Sequence, residues 1–498
     1  MMAGWSSAAH GTAVMRTPRA TSWTLWLLAD ASHTPRTLLF LSLAALLGGI
    51  AVAVGETHAL IISISLLACI FILLDFRIGV VLLIIVMPVS ASALFPHAIG
   101  GITGLNPLNL LLLGTLGSCV MHRSVAGDAG PLVAPPLIWR YILPMVVAAL
   151  LGAGHVGAIP AYFQAAGLIN YDSSASYLRD LLIKPLFMVL FAVLVGAAMV
   201  RTKRLEQLLL PMLLSVWLMG LMTIVFVVLS GASLSELASS QSRGFFSPLG
   251  MHANDLGRCY AIAYALMLFT FAASDNYRLR MLLLASMGMV VLALLLTFSR
   301  GAFLGFVVVN VLYLISRRRI ISLLAGGMVL AGLVLLLPDA VFDRIATGWD
   351  GGLNAISAGR VDTIWLPLLP ELWSSPLFGN GLGSILWSKA MRAGSILQVT
   401  HPHNAYLQVL LDMGFLGLLL VGAYFTHVWK KFRALSRNQA LDPLRRGFYE
   451  GAAVGLLAFL ISAVAGSSLL PVSEQCFLWL AIGMMYGEST AQTGKTDA

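Results

Sequence analysis

The sequence predicts an all-α, polytopic membrane protein, and three observations predict it. Of 498 residues, 59% are hydrophobic and only 10% charged, whereas a soluble domain carries about 25% charged residues. Apolar runs of roughly 18 or more residues, each long enough to cross a bilayer core of about 30 Å, recur along most of the chain. Lysine and arginine are rich and poor in alternate loops, as successive crossings of a membrane require.

Taken in order, the apolar segments fall at 37–54, 58–74, 78–95, 107–121, 138–154, 180–200, 207–230, 256–273, 281–298, 301–316, 320–338, 403–428, 447–467 and 474–487. The segments at 107–121, 301–316 and 474–487 are short, so the expected number of membrane helices is 12–14. Residues 1–36 carry Arg16, Arg19 and Arg36 but no apolar h-region with a small-residue cleavage site. They read as a cytoplasmic tail. The expected organisation is then a membrane body over 37–338, a long loop over 339–402, further membrane helices over 403–487 and a second cytoplasmic tail over 488–498.

Orientation follows from the basic residues. Twenty-one of the 30 lysines and arginines fall on one side of the alternating loops and nine on the other, and the rich side is cytoplasmic. The opposite, periplasmic side owns the longer polar stretches, above all 339–402. A loop of that length inside a membrane body is unusual unless it is functional. The net charge of +9 does not imply a nucleic-acid partner, because the cations sit in short loops where they set topology. The cysteines Cys69, Cys119, Cys259 and Cys476 form no CxxC pair and are expected to pack within the membrane body.

The nine outer cations are Arg179, Lys184, Arg243, Arg258, Arg300, Arg344, Arg360, Lys389 and Arg392. Cations against the positive-inside bias and near hydrocarbon cost energy unless they meet an anion. Each can snorkel to lipid phosphate or pair locally, as Arg258 can with Asp255 one helical turn away. As a set they suit a membrane-bound diphosphate. Ser299-Arg300-Gly301 joins two apolar runs, and its small residues permit a tight turn that leaves a guanidinium at the interface. In the run His252-Ala253-Asn254-Asp255-Leu256-Gly257, Asn254 or Asp255 either caps the following helix or, with His252, contacts substrate.

The most specific run is His401-Pro402-His403-Asn404-Ala405-Tyr406-Leu407-Gln408, which closes the long loop. Two histidines without a third ligand are thin support for a metal, whereas an imidazole takes a hydroxyl proton near neutral pH. The turn Gly379-Asn380-Gly381-Leu382-Gly383 follows no strand–helix unit and is not a nucleotide loop. No acidic DxD pair stands on the outer side to hold a divalent cation on a diphosphate. A transporter would require charged or broken helices at the bilayer centre and paired Gly/Pro breaks in two halves; the polar residues gather at the outer edge instead.

The run HPHNAYLQVLLDMGFLGLLL, with TFSRGAFLGF and HANDLG upstream, resembles the O-antigen ligase and polymerase family of bacterial surface-polysaccharide assembly over roughly 240–430. The resemblance implies a metal-independent, inverting membrane glycosyltransferase of the GT-C type, with no cofactor. Its donor is a glycan on undecaprenyl diphosphate. Its acceptor is lipid A–core oligosaccharide for a ligase, or a second lipid-linked glycan for a polymerase. It implies His403 as the base that activates the acceptor hydroxyl, and Arg300 and Arg243 as the diphosphate clamp. Arg258, Arg179 and Lys184 support the clamp, and His401, Asn404, His252 and Asn254 lie among the contacts to donor or acceptor. Membrane lipids are the remaining partners, and the enzyme belongs to the bacterial inner membrane with its active site facing the periplasm.

Overall fold

The computed structural model describes residues 68–92, 98–99, 102–103, 106–126, 130–231, 233, 236, 245–317, 352–466 and 468–496. The segments expected at 37–54 and 320–338, most of 58–74, and Arg243 lie outside the described residues. From Phe71 on, the chain forms one compact unit. Apart from a two-residue antiparallel ladder pairing Ala98 with Thr103 and Ile99 with Ile102, its regular structure is helical.

Eleven principal helices stand among the described residues: α1 (Phe76–Val86), α2 (Pro107–Val125), α3 (Pro135–Ala153), α4 (Ser174–Val200), α5 (Glu206–Ser230), α6 (Ala253–Ala273), α7 (Tyr277–Leu296), α8 (Arg300–Arg317), α9 (Ala405–Arg437), α10 (Pro443–Ala465) and α11 (Cys476–Thr496). Seven of these, α3 to α7, α9 and α10, are long and apolar enough to cross a membrane, so the chain is an all-α, polytopic membrane protein. The expected 12–14 came from apolar runs alone. Among the described residues α1 and α8 fall short in length, and α11 ends in the polar run Gly487-Glu488-Ser489-Thr490. Helix starts obey capping chemistry, with side-chain oxygens of Asp75, Asn106, Ser173, Asn276, Asn404 and Asp442 accepting from first-turn amides.

Small residues hold the centre together. Gly447, Gly451 and Gly455 recur every four residues on α10, so they share one face. That face lies against α6 so closely that a Cβ at Gly447 would stand 2.7 Å from the Phe269 carbonyl oxygen and one at Gly451 2.6 Å from that of Ala265. Gly483 and Gly487 of α11 meet α4 in the same manner, 2.3 Å from the carbonyl oxygens of Ala192 and Gly196. Lipid tails are as apolar as leucine, so association here comes from close backbone packing and not from hydrophobic burial. Outward faces such as Leu218, Leu221, Val225 and Val228 of α5 stay exposed.

The two ends of the bundle differ. At one end Arg445, at the start of α10, donates to Glu488 of α11 and to the Thr202 and Lys203 carbonyls after α4. The loops that the basic-residue count placed on one side therefore meet in space. At the other end gather the starts of α6, α8, α9 and α11.

Cys119, Cys259 and Cys476 are buried, as expected, whereas Cys69 is exposed beside an exposed Ile70. The Cys259 and Cys476 sulfurs approach to 3.6 Å although 217 positions apart. Mild copper-catalysed oxidation of the purified chain should link them, giving one α6–α11 cross-linked peptide by mass spectrometry. Recovery of both as independent thiols after prolonged oxidation would contradict this packing.

Candidate functional site

The site is built from three short turns that precede helices. His252, and not Asn254 or Asp255, caps α6: its Nδ1 accepts from the Asn254 amide at 3.3 Å. That leaves the Asn254 side chain available, and its Oδ1 accepts from the Ser299 hydroxyl at 2.7 Å. The Ser299 hydroxyl also accepts from the Ala302 amide at 3.2 Å, which caps α8. Phe298 turns the chain through a left-handed φ of 48°. Gly257 admits this turn against α6, since a Cβ there would come within 2.3 Å of that of Ala302. One serine thus ties the α7–α8 junction, and with it half-buried Arg300, to the start of α6.

The third turn carries the histidines. His403 adopts a φ of 53°, unusual for a residue with a Cβ, and Asn404 caps α9 by accepting from the Tyr406 and Leu407 amides at 3.1 Å each. The rings of His401 and His403 meet edge to face with centroids 4.2 Å apart. Burial pushes the His401 pKa down, with Arg258 and Arg360 adding to the depression and Asp255 opposing it. The His401 Nδ1 is buried and makes no hydrogen bond among the described residues. The loop is strapped over this turn by the Trp365 indole, which donates to the Pro402 carbonyl at 2.8 Å.

Beneath lies a buried ion triad. Arg258, 3% exposed, donates to Glu474 at 2.6 and 3.1 Å and to Asp255 at 2.5 Å. Glu474 is 2% exposed and stands immediately before α11. The guanidinium of Arg258 is thereby occupied by carboxylates, and its evident work is to lock α6 to α11. Arg179 and Lys184 both pair with Asp180, at 2.8 and 2.9 Å. They stand on α4, whose Tyr177 donates to the Leu382 carbonyl of the Gly-rich turn, and not on the helices of the triad.

The Gly-rich turn has a structural task. Helix α9 breaks at Gly414 (φ 69°, ψ −171°), which frees carbonyls one turn back. The amides of Asn380 and Gly381 donate to the Leu411 and Asp412 carbonyls at 2.8 and 3.0 Å. Buried Asp412 accepts from the Ser384 amide and hydroxyl at 3.0 and 2.7 Å. At Gly381, with φ 94°, a Cβ would stand 2.3 Å from the Gly152 nitrogen of α3. The long loop is therefore docked on α3 and α9 through its backbone.

Sequence reasoning assigned no role to Glu474, Asp412 or Ser384. The signal for Glu474 was present: an isolated carboxylate bordering an apolar run needs a partner. Among the described residues no group of three or more His, Cys, Asp or Glu side chains is placed to hold a metal ion.

Residues 282–422 match the family model described as O-antigen ligase. No curated protein matches the chain. The matched segment runs from α7 into α9 and contains Arg300, Arg360, His401 and His403, while the α6 start and Glu474, which buttress it, lie outside.

Proposed function

We propose, from the premise that residues 282–422 are an O-antigen ligase domain within a polytopic membrane enzyme, that the chain transfers a glycan from undecaprenyl diphosphate to an acceptor hydroxyl at the periplasmic face of the inner membrane. The observation that carries the reading is geometric: Ser299 ties the Arg300 turn to Asn254 at the α6 start, and the rings of His401 and His403 meet edge to face on the turn that leads into α9.

The reaction is a single displacement. The acceptor oxygen attacks the anomeric carbon from the face opposite the leaving group, and the sugar–phosphate bond breaks with its electron pair passing to the phosphate oxygen. The anomeric configuration inverts. His403 takes the hydroxyl proton. Arg300 and Arg243 receive the charge that grows on the diphosphate, a placed donor of this kind being worth roughly a hundred- to thousand-fold in rate. The donor is already activated, so no ATP is consumed, and guanidiniums do the work a divalent cation would otherwise do. His401, which burial favours in its neutral form, braces the His403 ring edge-on. Arg258 acts at one remove by holding α6 in register.

Lipid A–core oligosaccharide is the acceptor we favour, because the outer cations also suit lipid A phosphates. The test is reconstitution of the purified chain in proteoliposomes with lipid-linked polymer, lipid A–core and EDTA. Polymer joined to lipid A–core, with undecaprenyl diphosphate released, is the expected result. Elongation of the lipid-linked glycan alone would make the chain a polymerase. Movement of glycan lipid across the bilayer with no new glycosidic bond would overturn the reading in favour of a transporter.

A further inference from the structure

A cavity of about 190 Å³ opens between the end of α3, the docked loop and α9, and nothing in the transfer reaction uses it. We propose that this cavity is a subsite for an anionic sugar residue, gripped by Trp387, His155, Lys389 and Arg392.

One wall is aromatic: the His155 ring stacks on Trp387 with centroids 5.5 Å apart and planes 10° from parallel. Trp387 is 6% exposed, and its buried indole N–H makes no hydrogen bond among the described residues. A buried donor left unmatched costs free energy that a ligand acceptor would recover. His155 Nδ1 donates to the Leu151 carbonyl at 3.1 Å, which fixes the tautomer and leaves Nε2 as an acceptor. A sugar ring answers both, with a C–H face for the aromatic wall and hydroxyls that donate and accept.

Charged side chains line the same cavity. Lys389 and Arg392 are exposed and three residues apart on one short helix, so they project to the same side. Glu371 steadies that helix by accepting from the Ala390 amide at 3.2 Å. Two cations to one carboxylate select a negative ligand. Free phosphate would leave the aromatic wall idle, and a neutral sugar would leave the cations idle. A uronic acid or phosphorylated sugar engages both.

Leu411, which lines the cavity, is six residues along α9 from Ala405, roughly 9 Å of helical rise. The subsite thus deepens the transfer reading, giving the glycan a second hold a short oligosaccharide's length from the histidine turn.

Saturation-transfer NMR on the full chain in detergent, with galacturonic acid, glucose 1-phosphate and galactose as separate probes and inorganic phosphate as a competitor, tests the subsite without lipid-linked donor. Transfer to the two anionic sugars is expected, with binding at least about tenfold weaker in Lys389→Gln/Arg392→Gln, as loss of charge-assisted hydrogen bonds implies. These surface substitutions leave the fold intact. No transfer to either anionic sugar, equal binding in the variant, or phosphate competing as well as glucose 1-phosphate would overturn the subsite. Sugar binding in a chain that forms no glycosidic bond would leave the subsite standing and sink the reaction. In the transfer assay, a tenfold rise in acceptor KM with kcat unchanged would assign the sugar to the acceptor, and the same rise for the donor would assign it to the donor. No change in either would overturn the subsite.

Discussion

Replacing His403 with asparagine should lower glycan transfer by about a hundred- to ten-thousand-fold, the range a positioned general base contributes, with the protein still folded and still binding lipid-linked donor. Asparagine is the informative replacement because the backbone here has a φ of 53°. Alanine would add conformational strain to the loss of the base, whereas asparagine tolerates the left-handed region. The variant loses the imidazole and its edge-to-face contact with His401. A turnover assay with saturating donor and acceptor reads the effect in kcat, since the proton transfer occurs in the transition state and not in either bound ground state. Turnover within a few-fold of the native chain would remove His403 from the chemistry.

The second large effect is on stability. Glu474→Ala should destabilise the fold by about 3–5 kcal/mol, the cost of stranding a buried charge. Arg258 is 3% exposed and donates two hydrogen bonds to Glu474; Asp255, which it also meets, is itself 29% exposed. Removing both ends of the pair is a different perturbation. Arg258→Met with Glu474→Leu keeps the volume and leaves no fully buried charge, because Asp255 at 29% exposure still reaches solvent, so it should recover most of the lost stability. Thermal unfolding in detergent, followed by the tryptophan signal, distinguishes the two. A single variant as stable as the native chain, or a double variant as damaged as the single, would show that the pair does not lock α6 to α11.

These two effects differ in how visible they were beforehand. Among the described residues hydropathy located the long helices because each apolar run is a local property, and their ends moved. The segment expected at 180–200 begins at Ser174 because the Ser173–Ser176 capping box starts it earlier. The one expected to end at 428 continues to Arg437 through a basic, amphipathic extension that hydropathy alone cuts off. Arg300, His401 and His403 stood out because polar side chains at the edge of apolar runs are conspicuous. Glu474 borders an apolar run in the same way, but its partner lies 216 positions away and only the tertiary packing of α6 on α11 names it. The four-residue glycine spacing on α10 marks a helix contact, but spacing does not say which helix is contacted. The Gly379–Gly383 turn was recognisable as a turn. That it docks on a break in α9 depended on the conformation of Gly414, which no local pattern specifies.

All of the functional reading depends on the diphosphate leaving beside Arg300 while His403 faces the same chamber. The direct measurement is an electron cryomicroscopy structure of the full chain in lipid nanodiscs with undecaprenyl diphosphate bound. The diphosphate oxygens should lie within hydrogen-bonding distance of the Arg300 guanidinium, with the His403 imidazole turned into the space where the departing sugar would sit. Diphosphate held at the opposite end of the bundle, near Arg445 and Glu488, or at the Asp180 cluster with Arg300 unengaged, would contradict it.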